Sequence, residues 1–201
     1  MFTEGHIEVD GVPARYFEAG QGVPLVHVQA ADGASPSPAH ELLARQFRVI
    51  ALPPPGGGPT LERIIAGLGL ADFNLMATAD ASAAALRLAL SEGERVRALV
   101  LEAPTAIRGD GSEPRDTELE QRLPEVTTPT LILFGTADRQ SAQDTGRVYT
   151  KLIPNSHLVF VYAAAAAIGR DRPEAFAEVV ADFLDRHEAF IISRTPTVIH
   201  P

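Results

Sequence analysis

Short apolar runs that alternate with segments of helical periodicity are the feature that most restricts how this chain folds. The runs lie at residues 24–28, 47–52, 73–77, 96–101, 130–134 and 158–162. Apolar side chains at helical spacing predict helices at residues 38–46, 61–68, 79–91, 141–152 and 173–185. Strands that are apolar throughout are covered on both faces, and this alternation is typical of a parallel α/β sheet. Ligands of such sheets bind outside the carboxyl ends of the strands, so this edge is where we look for chemistry.

The beginning, the middle and the end of the chain depart from this pattern. An Asp10-Gly11 turn between two alternating segments predicts an N-terminal β-hairpin. The proline- and glycine-rich run at 53–58 breaks regular structure, and the polar stretch 105–129 predicts a loop with at most one short helix. We therefore expect a single domain over residues 1–201 with a sheet of about eight strands. Its tail, at 189–201, is apolar enough to dock.

Composition excludes several classes of function. A formal net charge of -9 argues against nucleic-acid binding, which depends on clustered lysine and arginine. The absence of cysteine excludes disulfides, thiolate metal ligands and a cysteine nucleophile. No signal peptide and no apolar run of membrane-spanning length is visible, so we expect a cytoplasmic location and no membrane partner. The histidines are scattered singly and no phosphate-binding loop is present, so we expect neither a metal nor a cofactor.

Residues 73–104, FNLMATADASAAALRLALSEGERVRALVLEAP, resemble the fifth strand, nucleophile elbow, elbow helix and sixth strand of α/β-hydrolases. Members of that family carry G-x-S-x-G at the elbow, and here the five positions are residues 77–81, with Ala79 in place of the serine. The resemblance implies an α/β-hydrolase fold, with a mostly parallel sheet and helices on both faces. Because only a loop follows Pro104, it implies a cap domain that is minimal or absent.

The other catalytic positions follow from the same resemblance. In PTLILFGTADR, Asp138 occupies the position of the catalytic acid. Ala166 falls at the position of the catalytic histidine, and no histidine lies between His157, which begins a strand, and His187. Gln29-Ala30 stands where family members often have a His-Gly pair beside the oxyanion hole. The resemblance thus implies a degenerate member that has vestigial triad positions and lacks both the serine and the histidine.

Serine attack needs a hydroxyl, a base that takes its proton and a carboxylate that orients the base. With methyl groups at two of these positions, we interpret the chain as a non-enzymatic protein that has a binding, structural or partner role. The candidate pocket lies between Gln29-Ala30, Asp80 and Ala166, and His27 approaches it from its strand. Its occupant would be a small apolar ligand or a protein partner. A serine and a histidine in contact at the carboxyl edge would contradict this interpretation.

Two alternatives stay open. One is an enzyme of altered mechanism, hydrolase- or lyase-like, that uses Asp80, Asp138 or His27. Against it, Asp80 is expected as a charge at a helix N-terminus, Ser82 as a residue of the first helical turn, Asp138 as an acceptor in its own loop and His27 as a buried, hydrogen-bonded histidine. The other is a subunit whose apolar tail pairs with a second chain to form a homo-oligomer.

Overall fold

A computed structural model describes residues 1–30, 35–53, 60–107, 116–138, 140–191 and 196–199, and of residues 140–143 it describes the backbone. Most of the proline- and glycine-rich run predicted at 53–58, with its triglycine, lies outside the described residues. So does the middle of the loop that follows Pro104.

One mixed sheet of nine strands organises the chain. The strands are β1 (Thr3–Val9), β2 (Val12–Ala19), β3 (Pro24–Val28), β4 (Arg48–Leu52), β5 (Phe73–Thr78), β6 (Val96–Glu102), β7 (Thr130–Gly135), β8 (Ser156–Val161) and β9 (Thr197–Ile199). Their order is β1-β2-β4-β3-β5-β6-β7-β8-β9, and every pair from β4–β3 onward is parallel. The predicted fold class and the N-terminal hairpin are confirmed.

Helices cover both faces of this sheet. They are α1 (Pro38–Leu43), α2 (Leu61–Gly67), α3 (Ser82–Ser91), α4 (Thr117–Arg122), α5 (Gln140–Leu152), α6 (Ile168–Asp171) and α7 (Pro173–Arg186). The prediction extended α1 to residue 46, whereas residues 44–46 form turns because their amides bond back to carbonyls of the last helical turn. Between β6 and β7 the described residues contain only α4 and one 3-10 turn, which is consistent with a minimal cap.

Alternate residues of each strand pack into different apolar clusters, because side chains along a strand point to opposite faces of the sheet. Leu25 of β3 lies in the cluster formed with α1 and α7, whereas Val26 lies in the cluster formed with α2, α3 and α5. The same alternation directs His27, Thr78 and Glu102 to the face that α1 and α7 cover. These polar side chains stand at or near the carboxyl ends of three neighbouring strands.

The C-terminal tail adds the ninth strand, which the sequence did not predict. β9 pairs in parallel with β8, and the amide of Tyr162 donates to the carbonyl of Ile199 at 3.1 Å. The second residue of β8, His157, places its Nε2 atom 2.9 Å from the hydroxyl oxygen of Thr197. The tail thus docks on its own sheet, and pairing with a second chain stays a prediction. Among the helices that the structure describes, none has the length and apolar character needed to cross a bilayer.

Candidate functional site

The turn from β5 into the following helix, which we call the elbow (residues 77–81), has a strained backbone. Ala79 has a φ of +50°, in the left-handed region that side-chain-bearing residues avoid. Two more alanines at the carboxyl ends of strands share this conformation, Ala103 after β6 (φ +45°) and Ala163 after β8 (φ +56°). Strained backbone persists only where the surrounding structure enforces it, so contacts at this edge of the sheet must hold these residues in place.

Hydrogen bonds hold the elbow in that conformation. The carbonyl of Ala79 accepts from the Ser82 hydroxyl at 2.5 Å and from the Thr105 amide at 3.3 Å. Ser82 is fully buried in the first turn of α3, and its oxygen also accepts from the Thr105 amide at 3.3 Å. Ser82 therefore braces the turn, while Asp80 is exposed at the start of the helical segment.

The loops after β7 and β8 lie against each other. The amide of Ala137 donates to the carbonyl of Ala164 at 2.9 Å, and a Cβ atom on Gly135 would come within 2.0 Å of that carbonyl oxygen. Gly135 is thus required for this close approach. Asp138 is half-buried in the first loop, and Ala166 is exposed in the second.

A chain of hydrogen-bonded side chains runs from α1 to β6 through the carboxyl ends of β3 and β5. We call it the polar chain: Ser37, His40, His27, Thr78 and Glu102. The contacts are His40 Nε2 to His27 Nδ1 (2.6 Å), His27 Nε2 to Thr78 Oγ1 (2.8 Å) and Thr78 Oγ1 to Glu102 Oε2 (2.7 Å). At its outer end, His40 Nδ1 accepts from the backbone amide of Ser37 at 2.8 Å.

The direction of every bond follows from that backbone amide, which can only donate. His40 Nδ1 must be unprotonated, so a neutral His40 carries its proton on Nε2 and donates to His27. By the same reasoning His27 donates from Nε2 to Thr78, and Thr78 donates to Glu102. The other carboxylate oxygen of Glu102 accepts from the Gly169 amide at 2.8 Å. The polar chain is therefore fully satisfied with both histidines neutral.

Burial determines the charge states of these groups. It lowers the pKa of His27 well below its usual value, with a smaller effect from the neighbouring His40. Burial, and secondarily the positive charge of Arg170, lowers the pKa of His40 to about 4. Burial raises the pKa of Glu102, although hydrogen bonds from the Gly169 amide and Thr78 oppose that shift.

A cavity of about 50 Å³, the edge cavity, opens beside the polar chain. It is lined by His27, Gln29, Ala30, Ser37, His40, Thr78, Glu102, Ala167, Gly169 and Arg170. Three of the four predicted pocket residues, His27, Gln29 and Ala30, thus meet there. Asp80 does not line it, and Ala167 rather than Ala166 does.

Sequence reasoning missed His40, Thr78, Glu102 and Arg170. A signal for two of them was present, because Thr78 and Glu102 are polar residues that end apolar strands and share a strand face with His27. His40 and Arg170 lie on other elements, and the sequence offers no comparable signal for them. The described residues hold no group of three or more histidine, aspartate or glutamate side chains that could bind a metal ion.

A serine and a histidine do touch at the carboxyl edge, which is the arrangement that would contradict a non-catalytic interpretation. The Ser37 hydroxyl lies 2.9 Å from His40 Nδ1. However, Ser37 is the N-cap of α1 and His40 is the third residue of that helix. The same ring nitrogen already accepts a hydrogen bond from the backbone amide of Ser37. This reciprocal pattern is a capping box, in which the N-cap residue and the third helical residue satisfy each other's polar groups.

Comparison with known proteins identifies the fold. No protein-family model and no curated protein sequence matches the chain. Solved structures do match. A serine hydrolase involved in carbazole degradation (CarC) has a TM-score of 0.72 at 20% identity, covering 92% of this chain and 99% of that chain. A variant of the meta-cleavage product hydrolase of Pseudomonas fluorescens IP01 (CumD) has a TM-score of 0.76 at 15% identity, covering 90% and 97%. Carboxylesterase CesB of Bacillus subtilis has a TM-score of 0.72 at 15% identity, covering 92% of each chain.

At these identities the likeness establishes the fold alone. The structures that the chain resembles are hydrolases and an esterase, and each superposes on nine-tenths or more of this chain. The chain has the α/β-hydrolase fold.

Proposed function

We propose that this chain is a non-catalytic α/β-hydrolase-fold protein that binds a ligand or partner at the carboxyl edge of its sheet. The observation that carries the proposal is the elbow, where Ala79 keeps a left-handed backbone but presents a methyl group. A methyl group cannot attack a carbonyl carbon, and removing triad members typically costs about 10⁶-fold in turnover.

The polar chain supports the proposal from the other side of the site. Catalytic bases need a free lone pair and a pKa near the working pH. His40 offers neither, because its Nδ1 is engaged by the Ser37 amide and burial lowers its pKa to about 4. His27 is bonded at both ring nitrogens, to His40 and to Thr78. These histidines are arranged to hold structure together.

Ester hydrolysis tests the proposal. The full chain is incubated with p-nitrophenyl esters of increasing acyl length, and the rate of nitrophenolate release is compared with that of buffer alone. We expect no saturable rate above the buffer. As a matched comparison, Ala79→Ser is expected to remain inactive, because both histidines described at this edge, His27 and His40, are engaged in the polar chain. Saturable turnover by the unaltered chain would overturn the proposal.

An enzyme of altered mechanism is the second candidate, and the Ser37–His40 contact is the observation that favours it. In that mechanism the Ser37 oxygen attacks an ester carbonyl carbon as His40 takes the hydroxyl proton, and His40 returns this proton to the alcohol that leaves. Water then hydrolyses the acyl-serine and releases the acid, while His27 orients the ring of His40. Asp80 and Asp138 are the other candidate groups. If turnover is found, its loss in Ser37→Ala assigns it to the serine, and its loss in Asp80→Asn or Asp138→Asn assigns it to a carboxylate.

A further inference from the structure

The edge cavity contains a buried hydrogen-bond donor without a partner. The side chain of Gln29 is 4% exposed, and its Nε2 makes no hydrogen bond within the described part of the chain. Its backbone amide is fixed to the carbonyl of Leu52 at 3.0 Å, so the residue is held at the cavity wall. A buried unpaired amide is costly, and native structures retain one where an unseen group completes it. The terminal torsion of glutamine is soft, which allows the amide to turn toward such a group.

A positive charge stands at the same cavity. Arg170 of α6 lines it, and its guanidinium is close enough to depress the pKa of His40. Over the ranges that the structure describes, that guanidinium has neither a hydrogen bond nor an ion pair. The Ser37 hydroxyl is a third polar group on this wall. An acceptor with negative charge matches these groups, and carboxylates are the partners that a planar guanidinium binds best.

The cavity volume limits the size of the bound group. At about 50 Å³ the cavity is far below an ordinary ligand pocket of about 300 Å³ or more. It therefore accommodates a head group and leaves the rest of a molecule outside.

We propose that the edge cavity binds the carboxylate group of a small organic acid, with Arg170 and Gln29 as its hydrogen-bond donors. The inference rests on the proposed function, in which this edge binds a ligand without turning it over. Among the described residues that line the cavity, Glu102 is the only acid, and its two oxygens accept hydrogen bonds from Thr78 and from the Gly169 amide. The negative charge of Glu102 is therefore partly compensated by these two donors, which reduces its repulsion of a bound carboxylate.

Binding should be linked to proton uptake. A carboxylate in the cavity faces His27 from β3, His40 from α1 and Glu102 from β6, with Arg170 and the adjacent Asp171 on α6. A second negative charge there favours the protonated forms of Glu102 and of the histidines. The affinity is thus expected to rise as the pH is lowered from neutrality, as long as the ligand itself stays ionised.

Propionate is the probe for the test, with propionamide as its uncharged counterpart. The full chain is titrated with each and followed by NMR chemical shifts. For a ligand of so few atoms we expect saturation at about millimolar concentration. We expect Arg170→Gln and Gln29→Leu to weaken propionate binding by about tenfold or more. Arg45→Gln, which removes an exposed arginine elsewhere, should leave binding unchanged.

An N-acetylated dipeptide with a free carboxyl terminus is titrated in parallel, because a protein C-terminus would present the same group. Tighter binding of the dipeptide indicates a peptide source, and tighter binding of propionate a free acid. The proposal is overturned if propionate gives no saturable shift, if propionamide binds equally well, or if Arg45→Gln weakens binding as much as Arg170→Gln. If the chain binds propionate and also hydrolyses esters, the proposed non-catalytic function is refuted and the carboxylate site is supported. If the chain neither binds propionate nor hydrolyses esters, the carboxylate site is refuted and the absence of catalysis is supported.

Discussion

The elbow and the polar chain meet at Thr78, at one edge of the sheet, and they differ in what they offer for chemistry. The elbow has a strained backbone and an alanine at its centre. The polar chain has two histidines, a hydroxyl and a carboxylate in continuous contact, but it lies on ordinary strand and helix backbone. The residue with the strained backbone, Ala79, and the side chains able to transfer a proton are therefore different residues.

Under the proposed function, this strained turn persists without a nucleophile at its centre. The Ser82 hydroxyl and the Thr105 amide hold the Ala79 carbonyl, so the turn is maintained by packing of the loop after β6. The polar chain is the opposite case: its side chains could transfer protons, but they are buried and fully hydrogen-bonded. We therefore interpret them as stabilising elements. Five tests of this contrast follow, from the largest expected effect to the smallest.

Thr78→Val tests whether the polar chain is structural. The substitution keeps the shape of the side chain but leaves His27 Nε2 and Glu102 Oε2 without their shared partner. Because both are buried, we expect a loss of about 3 to 5 kcal/mol in the free energy of unfolding, measured by urea denaturation. Thr150→Val is the matched control, since the Thr150 hydroxyl bonds only to a carbonyl of its own helix, at 3.0 Å, and should cost about 1 kcal/mol or less. Equal effects of the two variants would contradict a special role of the polar chain.

The pH dependence of stability tests the neutral state of His40. Unfolded histidine takes up a proton below about pH 6.5, whereas folded His40 does so only near its pKa of about 4. Stability is therefore lost as the pH falls through this window, by about 3 kcal/mol for His40 at the lower end, and is unaffected above it. The raised pKa of Glu102 gives a slope of opposite sign.

His40→Gln isolates the contribution of the histidine, because a glutamine can still accept from the Ser37 amide without titrating. We expect a shallower loss of stability from pH 6.5 to 4 than in the unaltered chain. The exposed His6, changed to glutamine, is the control and should leave the slope as it is. An identical slope in His40→Gln would mean that His40 is charged in the folded protein.

Ala79→Gly tests the strain at the elbow. Glycine adopts a positive φ without the penalty of a Cβ atom, so we expect a stabilisation of up to about 1 kcal/mol in thermal or urea unfolding. Ala84→Gly, in the right-handed interior of α3, should instead destabilise by about 1 kcal/mol. Destabilisation of the same size by both changes would argue that the Ala79 methyl group packs favourably enough to outweigh the strain.

Gln29→Leu tests the unpaired donor of the edge cavity. The leucine removes a buried amide without a partner, so we expect an unchanged or higher stability, by up to about 1 kcal/mol, together with the loss of propionate binding. Weaker propionate binding without a loss of stability distinguishes a ligand contact from a structural contact. A loss of stability would indicate that Gln29 serves the fold.

Much of the fold could be predicted because its determinants are local. An apolar run such as β7 is sufficient to predict a buried strand, and the Asp10-Gly11 turn is sufficient to predict the hairpin of β1 and β2. β9 could not be predicted, since three residues become a strand only through pairing with β8. The polar chain joins residues from four separate elements: the parallel register of β3, β5 and β6 aligns three of them, and the packing of α1 adds His40.

The central claim is tested most directly by intact-mass measurement of the full chain after exposure to a fluorophosphonate, which reacts with activated serine hydroxyls. We predict an unmodified mass, for the unaltered chain and for Ser37→Ala alike. A single phosphonyl adduct on the unaltered chain that disappears in Ser37→Ala would demonstrate an activated serine at the carboxyl edge and contradict the account.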